Sequence, residues 1–296
     1  MKKLIIIILI LSIQVLAYTI PNKDLYKGAV SGNIALIKSA LNRGADINAR
    51  FQAGFTAVSL AVWTGKINVV KYLISRGADI NIGGTYKKTA LMISTYKGFY
   101  NIASLLVSKG AKINARDVHK VPALIVACKH GRMNFIRLFI KKGAKINVRD
   151  KMGKTPVMYA AWFGHFDAVK YLVNKGAKAG ILDKTQNSAR SYANKNRHYK
   201  IAKYLFFVEL KQANPIIRAA LIGSLKKIKN AVKKGYDINH KSINGSTALI
   251  ISTGKRRNKI IFYLLKKGAR TNIQNNSGIT ALSIACVSGN LKAVKY

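Results

Sequence analysis

Lys154-Thr155-Pro156-Val157-Met158-Tyr159-Ala160-Ala161, followed by Gly164-His165 and Tyr171-Leu172-Val173-Asn174-Lys175-Gly176-Ala177, is the stretch that decides the fold. Its closing Gly-Ala pair recurs at Gly44, Gly77, Gly110, Gly143 and Gly176, each 33 residues after the last, and Gly268 follows Gly235 at the same interval. A strict period of this length marks a repeat architecture and takes precedence over a length-based domain count.

The blocks fall at 51–83, 84–116, 117–149 and 150–182, followed by a diverged block at 183–210. A shortened unit at 211–241, a full one at 242–274 and an incomplete one at 275–296 complete the series, and residues 22–50 open it. This predicts an all-α repeat solenoid of about nine units, the last unfinished. In the block 51–83, Thr56 opens a short helix with Val58, Leu60, Ala61 and Val62 mostly on one side, and Gly65 ends it. A second helix carries Val69, Val70, Leu73 and Ile74 as an amphipathic stripe, with Lys71 and Ser75 on the other face. A basic residue stands before the closing glycine at Arg43, Arg76, Lys109, Lys142, Lys175, Lys234 and Lys267, where it faces the negative end of the helix dipole. Ala61, Ser94, Ala127, Ala160, Ala193, Ser252 and Ala285 share one first-helix position, as close helix packing requires.

These residues resemble the ankyrin repeat, whose unit reads Gly-x-Thr-Pro-Leu-His-x-Ala-Ala, then Gly-His, then Leu-Leu-x-x-Gly-Ala-Asp-x-Asn. The resemblance covers residues 22–296, with Gly-Ala-Asp-Ile-Asn intact at 44–48 and 77–81, and Lys112 and Lys145 replacing the aspartate in the next two units. The family's histidine is absent: Ser59, Met92, Ile125, Met158, Ile250 and Ser283 stand in its place, which puts the usual turn hydrogen bonds in question. Ser188-Ala189-Arg190-Ser191-Tyr192-Ala193 resembles a closing repeat, and residues 214–239 resemble an opening one. Two subarrays, 18–210 and 211–296, are therefore expected. The last unit stops within its second helix, so an exposed apolar face is expected there, with truncation favoured over a capping partner.

Met1-Lys2-Lys3, the apolar run from Leu4 to Ile13 and the small residues Val15-Leu16-Ala17 read as a secretory signal peptide over 1–17, too short to span a bilayer. An exported, bacterial-type protein is expected, in the periplasm, cell envelope or secreted fraction, with no transmembrane domain beyond that leader.

Lys and Arg number 52 against 9 Asp and Glu, a formal charge of +43, and Glu209 is the only glutamate. Asp46, Asp79 and Asp237 are turn residues, and Asp117, Asp150 and Asp183 each begin a unit, leaving Asp24, Asp167 and Glu209. So few spare acids supply neither general acid–base pairs nor hard-metal sites. Gly153-Lys154-Thr155 lacks the upstream glycine of a phosphate loop, since Val148 stands there. His130, His165 and His198 have no carboxylate or nucleophile at useful spacing, and Cys128 and Cys286, at one repeat position, read as buried small side chains. No catalytic residue, cofactor or metal is expected.

In ankyrin proteins the hairpin tips and the exposed ends of first helices line a partner-binding groove. The resemblance places Phe55, Tyr86, Lys88, His119, Met152 and Lys154 at the tips, and Trp63, Tyr96, Lys97, Lys129, His130, Trp162, Phe163 and Lys195 on the first helices. Aromatics beside cations are the composition of interface hot spots. The expectation is a non-enzymatic scaffold binding a protein, acidic in character, through this groove. The alternative is a polycation that coats anionic envelope polymers or membrane surfaces. Nucleic acid is disfavoured for an exported chain.

Overall fold

The computed structural model describes residues 19–295; the expected signal peptide lies outside them. All regular structure among the described residues is helical, and none of these helices is long and apolar enough to cross a membrane. The chain divides into two compact units, 1–151 and 152–296.

The first unit contains α1 (19–31), α2 (Ile34–Asn42), α3 (Ala57–Trp63), α4 (Ile67–Ser75), α5 (Ala90–Lys97), α6 (Tyr100–Ser108), α7 (Ala123–Lys129) and α8 (Met133–Lys141). The second contains α9 (Pro156–Trp162), α10 (Phe166–Asn174), α11 (Ala189–Lys195), α12 (Tyr199–Gln212), α13 (Pro215–Ile222), α14 (Leu225–Lys233), α15 (Ala248–Gly254), α16 (Asn258–Lys266), α17 (Ala281–Val287) and α18 (Leu291–Val294). First helices pack on their own second helix and on a neighbouring first helix of the same unit, as α3 does on α4 and α5 and α15 on α16 and α17.

Start signals at the first helices are side-chain caps. Thr56 Oγ1 accepts from Ser59 N (3.3 Å) while Ser59 Oγ accepts from Thr56 N (2.7 Å), and Thr280 with Ser283 repeats the arrangement. Serine at the family's histidine position thus supplies the turn hydrogen bonds the sequence left in question; Met158 does so through Sδ, which accepts from Thr155 N at 3.3 Å. The basic residues before each closing glycine are the helix C-caps, as in Arg76 after α4 and Lys142 after α8.

The first helices are more deeply buried than a one-sided stripe implies. Every residue from Ala57 to Val62 is buried, as is every residue from Ala90 to Thr95. These helices are enclosed by their own second helix and by the neighbouring repeats, so only their last residues reach solvent. The small position is what permits this: Ala61, Ser94, Ala127, Ala160, Ala193 and Ser252 are all fully buried. Second helices bury one stripe, Val69, Val70 and Leu73 in α4, each burial stabilising by about 1.5–3 kcal/mol.

Two polar ladders tie neighbouring repeats. In the first unit Asn48, Asn81 and Asn114 accept through Oδ1 from the backbone N–H of Asp79 (2.9 Å), Lys112 (2.8 Å) and Lys145 (2.9 Å). Asn239 accepts likewise from Arg270 (2.8 Å) in the second. At the tips, Val118 N donates to Tyr86 O (3.0 Å) and Lys151 N to His119 O (2.8 Å) in the first unit, and Lys184 N to Met152 O (3.0 Å) in the second.

The second unit departs from the repeat at one place. α12 runs for 14 residues where the other second helices, the four-residue α18 apart, have nine, and only Ala213 and Asn214 separate it from α13, with no hairpin. Asn214 caps α13 by accepting from Ile216 N at 3.0 Å, with Pro215 at the first helical position. Buried residues from Ile216 to Ala281 form a hydrophobic cluster of their own. At the end of the described chain, Leu282 is 52% exposed where its counterpart Leu249 is 2% exposed, and Val287 and Leu291 are more exposed still. This is the apolar face expected there. It also overturns the reading of the two cysteines as equivalent: Cys128 is buried, and burial pushes its thiol pKa up, whereas Cys286 at the same repeat position is exposed.

Asn114 both accepts from Lys145 N and donates through Nδ2 to Gly143 O (3.0 Å). Asn114→Ala removes both bonds and is expected to cost about 1–3 kcal/mol in urea unfolding. An unchanged midpoint would show that the ladder does not hold the repeats together.

Candidate functional site

The expected binding residues fall into two patches, one in each unit. In the first, Trp63 ends α3 and is 44% exposed, and Tyr96, its counterpart on α5, is 54% exposed. Lys97 Nζ lies 4.5 Å from the centre of the Trp63 ring, and Phe55 meets that ring edge-on at 6.1 Å. Tyr96 in turn meets His130 at 5.5 Å, next to the exposed Lys129. At the tips, Tyr86 stacks on His119 at 6.3 Å with Lys88 Nζ 5.8 Å from its ring. Phe55 is half-buried; the other members of this patch are exposed. The tip of residues Thr85–Lys87 holds Tyr86 and Lys87 at positive φ (59° and 57°). Tyr86 and His119 stand on backbone whose carbonyl accepts from the next tip.

The second patch is built differently. Trp162 is half-buried and stacks face to face on Tyr192 of the next repeat, with centroids 4.7 Å apart and planes 10° from parallel. Lys154 Nζ sits 5.0 Å from the Trp162 ring and 5.7 Å from Tyr192, and Phe163 lies alongside at 5.8 Å. Met152 and Phe163 are exposed, Lys154 half-buried, and Lys195 exposed at the end of α11. Tyr192 itself is buried and donates its hydroxyl to Asp183 Oδ2.

Asp183 is the centre of that tip. Its Oδ1 accepts from the backbone N–H of Thr185 (2.8 Å) and Asn187 (3.0 Å) and from Thr185 Oγ1 (2.8 Å). Burial alone would raise its pKa, but the hydrogen bonds from Tyr192, Asn187 and Thr185 outweigh that and hold the carboxyl below its ordinary range. Glu209 behaves oppositely: burial pushes its carboxyl up, and Arg190, 2.9 Å away, offsets only part of this.

Two features of the site were not anticipated from sequence. Tyr192 carries the Trp162 stack, although it reads only as part of a diverged block. His198 Nε2 pairs with Trp162 O at 3.0 Å, and Arg132 Nη2 donates to Tyr96 O at 2.8 Å, so a residue 36 positions downstream ties down the end of each first helix. Gly164 is required by this: it has φ +78°, and a Cβ there would lie 2.7 Å from His198 Cε1. Among the described residues no group of three or more His, Cys, Asp or Glu is placed to hold a metal.

Residues 25–117, 124–215 and 216–296 each match the family model of ankyrin repeats (3 copies). The chain belongs to the ankyrin-repeat family. Ankyrin repeats are in general protein–protein interaction modules and are typically non-enzymatic. No curated protein matches the sequence.

The two tryptophans of this ankyrin-repeat protein should respond differently to truncation. Trp162→Ala removes an inter-repeat stack and is expected to cost about 2 kcal/mol or more in thermal unfolding, while Trp63→Ala at an exposed end stays within about 0.5 kcal/mol. Equal losses would contradict the two geometries. For Asp183, the folded pKa lies below the unfolded one, so its stabilisation is complete above the ordinary carboxylate range and is lost as pH falls through that range to the folded value. Asp183→Asn should therefore flatten the acid limb of a stability–pH curve measured by urea unfolding, and parallel curves for the two proteins would exclude the clamp.

Proposed function

We propose that the protein is an exported, non-enzymatic binding scaffold whose partner, a protein with acidic surface, docks on the patch around Trp63, Tyr96 and Lys97. The observation that carries this is Trp63: a large apolar ring 44% exposed, flanked by a lysine on its face, at the end of a helix otherwise completely buried. A preformed aromatic–cation surface on buried helices loses little conformational freedom on binding, so the ring contributes affinity and Lys88, Lys97 and Lys129 contribute orientation toward acidic groups. Met152, Lys154, Trp162 and Phe163 form a second contact area in the other unit, where the Trp162 ring is partly occupied by Tyr192. The envelope or the secreted fraction is the compartment, from the leader-like residues 1–17.

The test is affinity capture from envelope and host-cell extracts on residues 18–296 and on a Trp63→Ala, Tyr96→Ala double variant, across a salt series. A discrete protein retained at physiological salt and weakened by about 2 kcal/mol or more in the double variant is the expected result. Retention of polyanions that salt removes equally from both proteins would instead assign the function to the net charge of +43.

A further inference from the structure

The repeat lacking a hairpin leaves a cavity of about 330 Å³ inside the second unit. Elsewhere in that unit neighbouring first helices pack directly, α9 on α11 and α13 on α15. Between α11 and α13 the cavity intervenes instead. One wall carries Arg190, Glu209 and Gln212 from α11 and α12, and the other carries Ile217, Leu221 and Ile251 from α13 and α15. The loop 240–244 closes one side. Its Ile243 reaches Gly180, where any Cβ would collide with Ile243 Cδ1. Gly180 stands one 33-residue period after Asn147, at the ladder position held by asparagine in preceding repeats, so the missing rung and the cavity coincide.

The walls are built before any ligand arrives. Ser242 Oγ donates to Ser246 O (2.8 Å), and Asn276 Nδ2 donates to Ile243 O (3.1 Å), which fixes the loop to the next tip. On the opposite side the Asp183 clamp holds the turn that contributes Gln186. Arg190 pairs with Glu209 through Nε, at 2.9 Å from Oε2, and its guanidinium packs 5.3 Å from the Phe206 ring. Nη1 and Nη2 make no hydrogen bond to another described residue. That outer edge of a guanidinium is the group that grips a carboxylate with two parallel bonds. Lys241 and His240 also line the cavity, Glu209 is the only acid in the lining, and the field of a chain with charge +43 concentrates anions.

We propose that this cavity binds a small aliphatic carboxylate, its anionic group on the Nη edge of Arg190 and its branched chain against Ile217, Leu221 and Ile251. Glu209 is a positioning residue: it holds Nε and presents the opposite edge of the guanidinium. The same chemistry is offered by a free organic acid and by the last residue of a peptide. This inference stands independently of the docking patch around Trp63, which lies in the other unit.

The experiment is isothermal titration of the full chain with N-acetyl-leucine, with N-acetyl-leucinamide and with a tetrapeptide ending in a free leucine carboxylate. The acid should bind roughly tenfold or more tightly than the amide. Tetrapeptide binding at least as tight as that of N-acetyl-leucine assigns the peptide source, and its exclusion assigns the free acid. Arg190→Gln should abolish binding. Because that change leaves Glu209 unpaired, the double variant Arg190→Gln, Glu209→Gln is measured beside it, and it should fold with unaltered circular dichroism yet fail to bind. Glu209→Gln alone keeps an acceptor for Nε and removes a competing charge, so it should tighten the acid several-fold, by the usual range for charge-assisted pairs. Equal binding of acid and amide, no binding of either at millimolar concentration, or wild-type affinity in the double variant overturns the proposal.

Discussion

No repeat in this chain can bury its own faces, and every other feature depends on that constraint. A first helix such as α3 has no solvent side along its first six residues, because its own second helix and its neighbours enclose it. Such an enclosure is possible only where the crossing side chain is small, and Ala61, Ser94, Ala127, Ala160, Ala193 and Ser252 provide that with no exposed surface. What remains accessible of the first helices is their ends, beside the tips, while the second helices keep an outer face in solvent. Exposed aromatic surface therefore arises where packing stops, and Trp63 and Tyr86 occupy it outside the core.

Much of this is legible in the sequence because it is periodic. The 33-residue interval, the small position and the basic residue before each glycine are properties of single positions repeated many times, and the helices fall where those signals place them. What is not legible depends on the identity of a neighbour rather than on the residue itself. Trp63 and Trp162 occupy one repeat position, yet Lys97 covers the first and Tyr192 the second, so one stays exposed and the other is drawn into an inter-repeat stack. Cys128 and Cys286 likewise share one repeat position, yet the first is buried and the second exposed. The ties from His198 and Arg132 come from one repeat position, the one His165 holds after Gly164, but the helix end each reaches lies 36 residues upstream in the preceding repeat and is set by that neighbour.

The junction near 210 shows where periodic reading fails in a useful way. The sequence marks 183–210 as diverged and 214–239 as a fresh start, but divergence alone does not tell a closed interface from an open one. Opening follows from three local facts: α12 is extended to Gln212, only two residues separate it from α13, and glycine replaces asparagine at 180. The first two remove the hairpin that would fill the gap, and the third admits Ile243 from the far side. Arg190 and Glu209 then line a space that an ordinary repeat would have filled with its own backbone.

The acids explain why the charge is so one-sided without the fold failing. Asp46, Asp79 and Asp237 each accept from the backbone two residues on, and Asp117 and Asp183 clamp tips, so these carboxylates stay where a turn needs an acceptor. Nine acids can neutralise at most nine of 52 cations, which leaves the surface strongly positive whatever pairs form. That surplus acts on two processes with opposite sign. Self-repulsion opposes the stacked state and is relieved by salt, whereas attraction of an anionic partner is weakened by salt. Burial along the first helices carries the stack through the repulsion, since apolar packing does not depend on ionic strength in that way. The solenoid can therefore hold a strongly positive field, with its stability supplied by a term the field does not touch.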